Sequence, residues 1–149
     1  MLVSEATEVD MGLVYADIEI VSAEDVALSR KGYIKADQVK SRTVKALVDS
    51  GAYMLCINES IRVQLDLPKV SNMEAELADG TIRTVDVVGP VIINFKNRTT
   101  SCNAAVLPGE AEVLLGAIPM EDLDVVINPR EQTLELPGDR PYLAKKKIK

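Results

Sequence analysis

What most constrains this chain is its punctuation. From residue 12 to residue 136 the apolar residues come in short, largely β-branched runs, and most runs end at a Gly, a Pro or a pair such as Ser-Gly, Asp-Gly or Gly-Pro. Runs of that length, closed by turn residues, fit strands better than helices. Residues 12–21, GLVYADIEIV, alternate apolar and polar with the period of a half-buried strand. Residues 23–42 are charge-rich around Gly32 and read as a turn or short helix followed by a loop. TVKALVDSG (43–51) and YMLCI (53–57) are two further strands, and Asn58 is placed to cap a short helix over Glu59–Leu65 that Pro68 closes. The stretch AELADGTIRTVDVVGPVIINF (75–95) reads as strand, turn at Asp79–Gly80, strand, and a second turn at Gly89–Pro90. SCNAAVL (101–107) and EAEVLLG (110–116) are strands parted by Pro108 and Gly109. Pro119 fits the first position of a short helix running through MEDL, and VVINPREQTLEL (125–136) reads as a hairpin around NPRE. The expectation is a mostly-β domain with one or two short helices, spanning 1–137. A basic tail follows at 138–149, its KKKIK a solvated terminus.

With 149 residues the chain is long enough for one real core, burying roughly two thirds of the surface its unfolded form exposes. The net charge of −6 sets the whole field against a phosphate backbone, so no nucleic-acid partner is expected. No apolar run approaches the ~18 residues of a spanning helix, and the N-terminus lacks a basic region with an apolar one behind it. A cytoplasmic location without membrane contact is the expectation. Cys56 and Cys102 have no CxxC spacing and read as reduced, small core residues. There is no histidine, which removes every Ser-His-Asp or Cys-His arrangement and the His-based zinc sites. No metal or cofactor is expected, and chemistry, if there is any, falls to carboxylates.

One carboxylate stands out. In KALVDSGAYMLCI (45–57) an apolar run stops at Asp49, is followed by Ser50, Gly51 and Ala52, and resumes. A carboxylate in such a place is costly unless hydrogen-bonded. Gly51 lets backbone N–H groups approach it, and the Ser50 hydroxyl can donate and accept. The plain alternative is a strand end closed by an Asx-turn.

Three further features accompany the triplet: strands on both sides of it, an Asp-Gly hairpin tip about thirty residues on, and the apolar run VLLG (113–116) before a short helix. In this order the chain resembles the retroviral-type (retropepsin-like) aspartic proteases, whose motif of two apolar residues, Asp, Ser or Thr, Gly and Ala is met throughout LVDSGA (47–52). The resemblance covers about Gly12 to Leu136 and leans toward the family's prokaryotic members. It implies a closed, β-barrel-like fold with Asp49 as the catalytic carboxylate and Ser50, Gly51 and Ala52 supporting its turn. It also implies that Ala78, Asp79 and Gly80 form a flap tip over the substrate, and that Leu114, Leu115 and Gly116 lie under the turn. One chain carries one such triplet and the chemistry needs two carboxylates, so the resemblance implies a homodimer acting on peptide or protein substrates. The family's Arg after the second apolar-Gly motif is replaced here by Ala117 and Ile118, and the flap tip has a single Gly. Those departures keep a second reading open, a non-catalytic dimeric peptide-binding module of the same fold.

Overall fold

The computed structural model describes residues 12–148. Six strands close a ring. In spatial order they are β1 (Tyr15–Ser22), β2 (Ser41–Val48), β7 (Leu114–Leu115), β3 (Leu55–Ile57), β6 (Arg98–Val106) and β5 (Ile82–Phe95), and β5 pairs back onto β1. Strand β4 (Lys69–Glu76) lies outside the ring as the second arm of a hairpin with β5, and β8 (Val126–Asn128) and β9 (Thr133–Glu135) form a separate two-stranded sheet. Most neighbours are antiparallel, but β7 runs parallel to β2, with Leu47 opposite Leu114 and Val48 opposite Leu115. Strand β3 likewise runs parallel to β6.

The period-two patterning divides the ring's residues between two apolar clusters. Ala16, Ile18 and Ile20 of β1, Leu55 and Ile57 of β3, Ala104 of β6 and Leu115 of β7 point into the main core with Val88, Val91, Ile93 and Leu123. Burying a side chain such as Leu115 or Leu123 contributes about 2 kcal/mol. The residues between them, Cys56, Ala105 and Leu114, point the other way and meet Val85 of β5 and Met73 and Ala75 of β4 in a second, smaller cluster. That cluster fills the angle between the ring and the β4–β5 hairpin.

Among the described residues three short α-helices bridge the strands, and the side chain that precedes the first two caps each of them. The segment read as a turn or short helix forms α1 (Ala23–Arg30), where the Ser22 hydroxyl accepts from Asp25 N at 3.2 Å. Asn58 Oδ1 accepts from Ile61 N at 3.1 Å to start α2 (Glu59–Gln64), and its Nδ2 donates to Ala111 O at 2.9 Å. Helix α3 (Ala117–Leu123) begins two residues before the expected Pro119, which sits in its first turn where a backbone N–H has no helical partner anyway.

Two other expectations change. Gly89–Pro90 is no turn: β5 runs through it as one strand, with a register shift against β6 between Val88 and Val91. The pair makes a bulge, because the segments on either side each keep a long ladder, Ile82–Val88 with β4 and Val91–Asn94 with β1. Gly89 has φ +137°, and a Cβ there would lie 2.8 Å from Asn103 Oδ1. EAEVLLG contributes only Leu114–Leu115 as strand, since a single short pairing with β2 and with β3 is available at that place.

Candidate functional site

Asp49 is the first residue beyond β2, and its position follows from the parallel pairing with β7. Leu47 N donates to Val113 O at 2.8 Å and Asp49 N to Leu115 O at 3.0 Å, so the strand is held to its last residue. Then the chain turns, with Ala52 N donating to Asp49 O at 3.1 Å. Strand parity puts Ala46 and Val48 in the main core, which leaves Leu47 and Asp49 on the opposite face, the face of Leu114 and Cys56. The carboxylate is half-buried, and Ser50 and Gly51 are exposed.

Of the two neighbours expected to ease the cost of that carboxylate, Gly51 does so and Ser50 does not. Gly51 N donates to Asp49 Oδ1 at 2.9 Å, an Asx-type closure of the turn. The Ser50 hydroxyl points to solvent and makes no hydrogen bond within the described residues. Half-exposure lets the carboxylate stand with this sparse support.

Gly116 explains itself by contact. A Cβ there would lie 2.4 Å from Met54 O and 2.8 Å from Ala52 O and Met54 N, distances no side chain tolerates. The residue abuts the backbone of the Asp49 turn and its exit. Beyond it, Ala117 N donates to Ala52 O at 2.8 Å and Ile118 N to Tyr53 O at 3.1 Å, so the start of α3 is stitched to the chain leaving the turn. Leu114, Leu115 and Gly116 therefore all lie against the strand and turn that carry Asp49.

The hairpin tip is local and polar. Leu77 N donates to Thr81 O and Gly80 N to Leu77 O, both at 2.8 Å, and Asp79 Oδ1 accepts from Thr81 N at 3.0 Å and Thr81 Oγ1 at 2.6 Å. Those bonds to Thr81 hold the Asp79 carboxyl below its ordinary range. Ala78, Asp79 and Gly80 are exposed at this tip, while the hairpin's Met73, Ala75 and Val85 lie over the second cluster.

Cys56 belongs to the site's surroundings, a place that a reading as plain core did not give it. It lies opposite Leu114, and burial pushes its thiol up to about 11, with the negative charge of Asp49 adding to the effect. A neutral thiol beside Met54, Leu107 and Leu114 makes an apolar floor next to the carboxylate. The available signal was parity: Cys56 alternates with Leu55 and Ile57, both fully buried in the other cluster. An open cleft of about 420 Å³ borders this floor, lined by Val85, Leu107, Glu59 and Arg83 among others. No helix of the described residues is long and apolar enough to cross a membrane.

The arrangement offers one half-exposed carboxylate on a tight turn, braced from below and bordered by an apolar floor under a hairpin. Among solved structures the chain is similar to simian foamy virus (mac) protease, at 20% identity and a TM-score of 0.45, covering 72% of this chain and 91% of that one. It is also similar to a Legionella pneumophila protein of unknown function, at 12% identity and a TM-score of 0.39, covering 73% and 87%. Among curated proteins none matches. The family model described as "gag-polyprotein putative aspartyl protease" matches residues 37–133, well over half of the sequence and including the whole Asp49 turn, and the chain belongs to that retroviral-type aspartyl protease family.

Proposed function

We propose that this protein is a homodimeric aspartic endopeptidase in which Asp49 of each subunit supplies half of the catalytic pair. The observation that carries the reading is the placement of Asp49: at a strand end, half-exposed, with one hydrogen bond from Gly51 and its remaining acceptor capacity uncommitted. Two such carboxylates brought together share one proton, because close like charges cannot both ionise. The ionised member takes a proton from water as the water attacks the peptide carbonyl, and the protonated member donates to the carbonyl oxygen. The substrate lies extended between the exposed hairpin tip at Ala78, Asp79 and Gly80 and the Asp49 turn, its backbone hydrogen-bonding as an added strand. We place this activity in the cytoplasm, and it calls for no cofactor.

Purified protein is expected to cleave an unstructured protein at mildly acid pH, to be blocked by a statine-type transition-state analogue, and to lose cleavage in Asp49→Asn. Cleavage that survives this substitution overturns the reading. The alternative, a dimeric module that binds peptides without turnover, is favoured by one observation, the hairpin tip that Asp79 ties down through Thr81. It predicts peptide binding with no product, and binding unchanged in Asp49→Asn.

A further inference from the structure

The β4–β5 hairpin sorts its charges by face. Cross-strand partners share a face, and the register sets Met73 opposite Val85, Ala75 opposite Arg83 and Ser71 opposite Val87. Met73, Ala75 and Val85 pack on the second cluster, so this face is turned toward the ring, and Arg83 is the one charged side chain on it along the paired strands. The acids Glu74, Glu76 and Asp86 occupy alternate positions of the same two strands. Arg83 lines the open cleft of about 420 Å³, where β5 faces the start of α2 and the chain leaving β6 at Leu107. Among the lining residues it is also the unpaired charge. Glu59 accepts from Arg62 Nε at 2.7 Å, and Asp86 Oδ1 lies 3.3 Å from Lys69 Nζ. Arg83 itself makes no hydrogen bond or ion pair among the described residues. Asp79 at the tip is near enough to feel its charge, yet turns Oδ1 to Thr81.

We propose that Arg83 determines specificity by taking the carboxylate of an Asp or Glu side chain on a bound, extended peptide. The inference rests on the reading of the hairpin tip and the Asp49 turn as the walls between which a peptide lies. Arg83 is three residues from Gly80, at most about 11 Å along the chain. On the other side the cleft's Leu107 packs in the cluster that holds Cys56, whose thiol feels the charge of Asp49. A peptide crossing from tip to turn therefore passes the mouth of the cleft, with alternate side chains directed to one side. Charge selects which side chain enters. Arg62 and Lys69 neutralise the cleft's two acids, so its remaining charge is positive in a chain whose net charge is −6. A guanidinium is always charged, and its planar fork meets a carboxylate through two parallel hydrogen bonds. Val85 and Leu107 keep water from one side of that pair, which strengthens it relative to one on an open surface.

The test uses unstructured peptides that differ only in carrying Glu, Gln or Lys at one position, moved residue by residue along the sequence. Cleavage, as kcat/KM, and binding, by fluorescence polarisation, are both measured on the full chain. At one position Glu is expected to exceed Gln at least about fivefold, with Lys the poorest. Arg83→Gln is expected to bring Glu and Gln level, and Arg83→Glu to favour Lys. Lys31→Gln, which removes an exposed cation from the loop after α1, leaves the preference in place. Arg83 is exposed and bonded to nothing, so its variants keep the fold, as an unchanged Tm will verify. As pH falls through about 4 the peptide Glu takes up a proton, and the wild-type ratio of Glu to Gln should approach one, which a merely structural arginine would not cause. A Glu preference that survives Arg83→Gln, or the lack of any position preferring Glu, overturns the assignment, and cleavage in the same assays leaves the protease reading standing. Binding that follows Arg83 in this way without any product upholds the assignment and removes the protease reading. A chain that neither binds nor cleaves any of the peptides overturns both.

Discussion

Two aspartates at chain turns, Asp49 and Asp124, are used in opposite ways. Asp124 ends α3 with φ +56° and is saturated: it accepts from Arg140 Nε at 2.7 Å and Nη2 at 3.0 Å and from Lys145 N at 2.9 Å, with the buried Arg98 guanidinium 3.8 Å away. The Arg140 hydrogen bonds, with the Lys145 amide behind them, hold its carboxyl at about 2. Arg98 also donates to Arg140 O at 2.6 Å, so one cluster ties the end of α3 to the C-terminal segment. Asp49 accepts one N–H, from Gly51. A carboxylate whose acceptor capacity is filled by cations and amides is locked as an anion and serves as an anchor, whereas one left half-open keeps lone pairs free for water or a partner group. The basic tail read as a solvated terminus is exposed over residues 141–148 and is also pinned by these bonds, with Lys146 paired to Asp122 at 3.1 Å.

Asp49→Asn separates the two aspartates most sharply. Cleavage is expected to fall at least about a thousandfold in a steady-state peptide assay. The melting temperature should move by no more than about 2 °C, since only one exposed turn bond is altered. Gly116→Ala tests the brace beneath the turn. The new Cβ must push back the carbonyls of Met54 and Ala52, at a cost of about 3 kcal/mol by urea denaturation and with most of the cleavage lost. A stable, active Gly116→Ala would show that the turn does not depend on this close approach.

Asp124→Asn is expected to do the reverse of Asp49→Asn: cleavage per folded molecule unchanged, Tm lower by a few degrees, and residues 138–148 opened to limited proteolysis. Its pH dependence has a definite sign. The folded carboxyl lies at about 2, below its ordinary value of 3.8, so its contribution is complete above about pH 4 and is lost as pH falls toward 2. Wild type and Asp124→Asn should differ in urea midpoint at pH 6 and converge near pH 2. The latch thus holds through the mildly acid range in which the Asp49 pair is expected to work. The smallest effect concerns the thiols. Burial pushes Cys56 and Cys102 up to about 11, so alkylation at pH 8 should be slow in the native protein and fast in urea. Equal rates in both would remove Cys56 from the floor beside Asp49.

Much of this was legible in the residues. The strand over GLVYADIEIV, the caps at Asn58 and the turn at Asp79–Gly80 depend on neighbours within a few positions, and each appears where local chemistry places it. Gly89–Pro90 has the same local signature as a turn, yet two long ladders, formed with residues far away in the sequence, carry the strand through it. That the exposed Lys-rich tail is also tethered was not legible, because its partners, Asp122 and Asp124, are about twenty residues back and become neighbours only when α3 folds onto the ring.

The sequence by itself determined the alternation of short strands and turns and the placing of one carboxylate at Asp49 between apolar runs, because periodicity, turn chemistry and the absence of histidine act locally or by composition. Only the tertiary structure decided that β7 lies parallel to β2, about 65 residues away, and so puts Gly116 against the Asp49 turn and Tyr53 beside Ile118. It likewise decided which face of β3 meets the core and which floors the site. Those outcomes depend on how strands distant in the chain share hydrogen bonds and bury opposite faces, and no short window of residues encodes that balance.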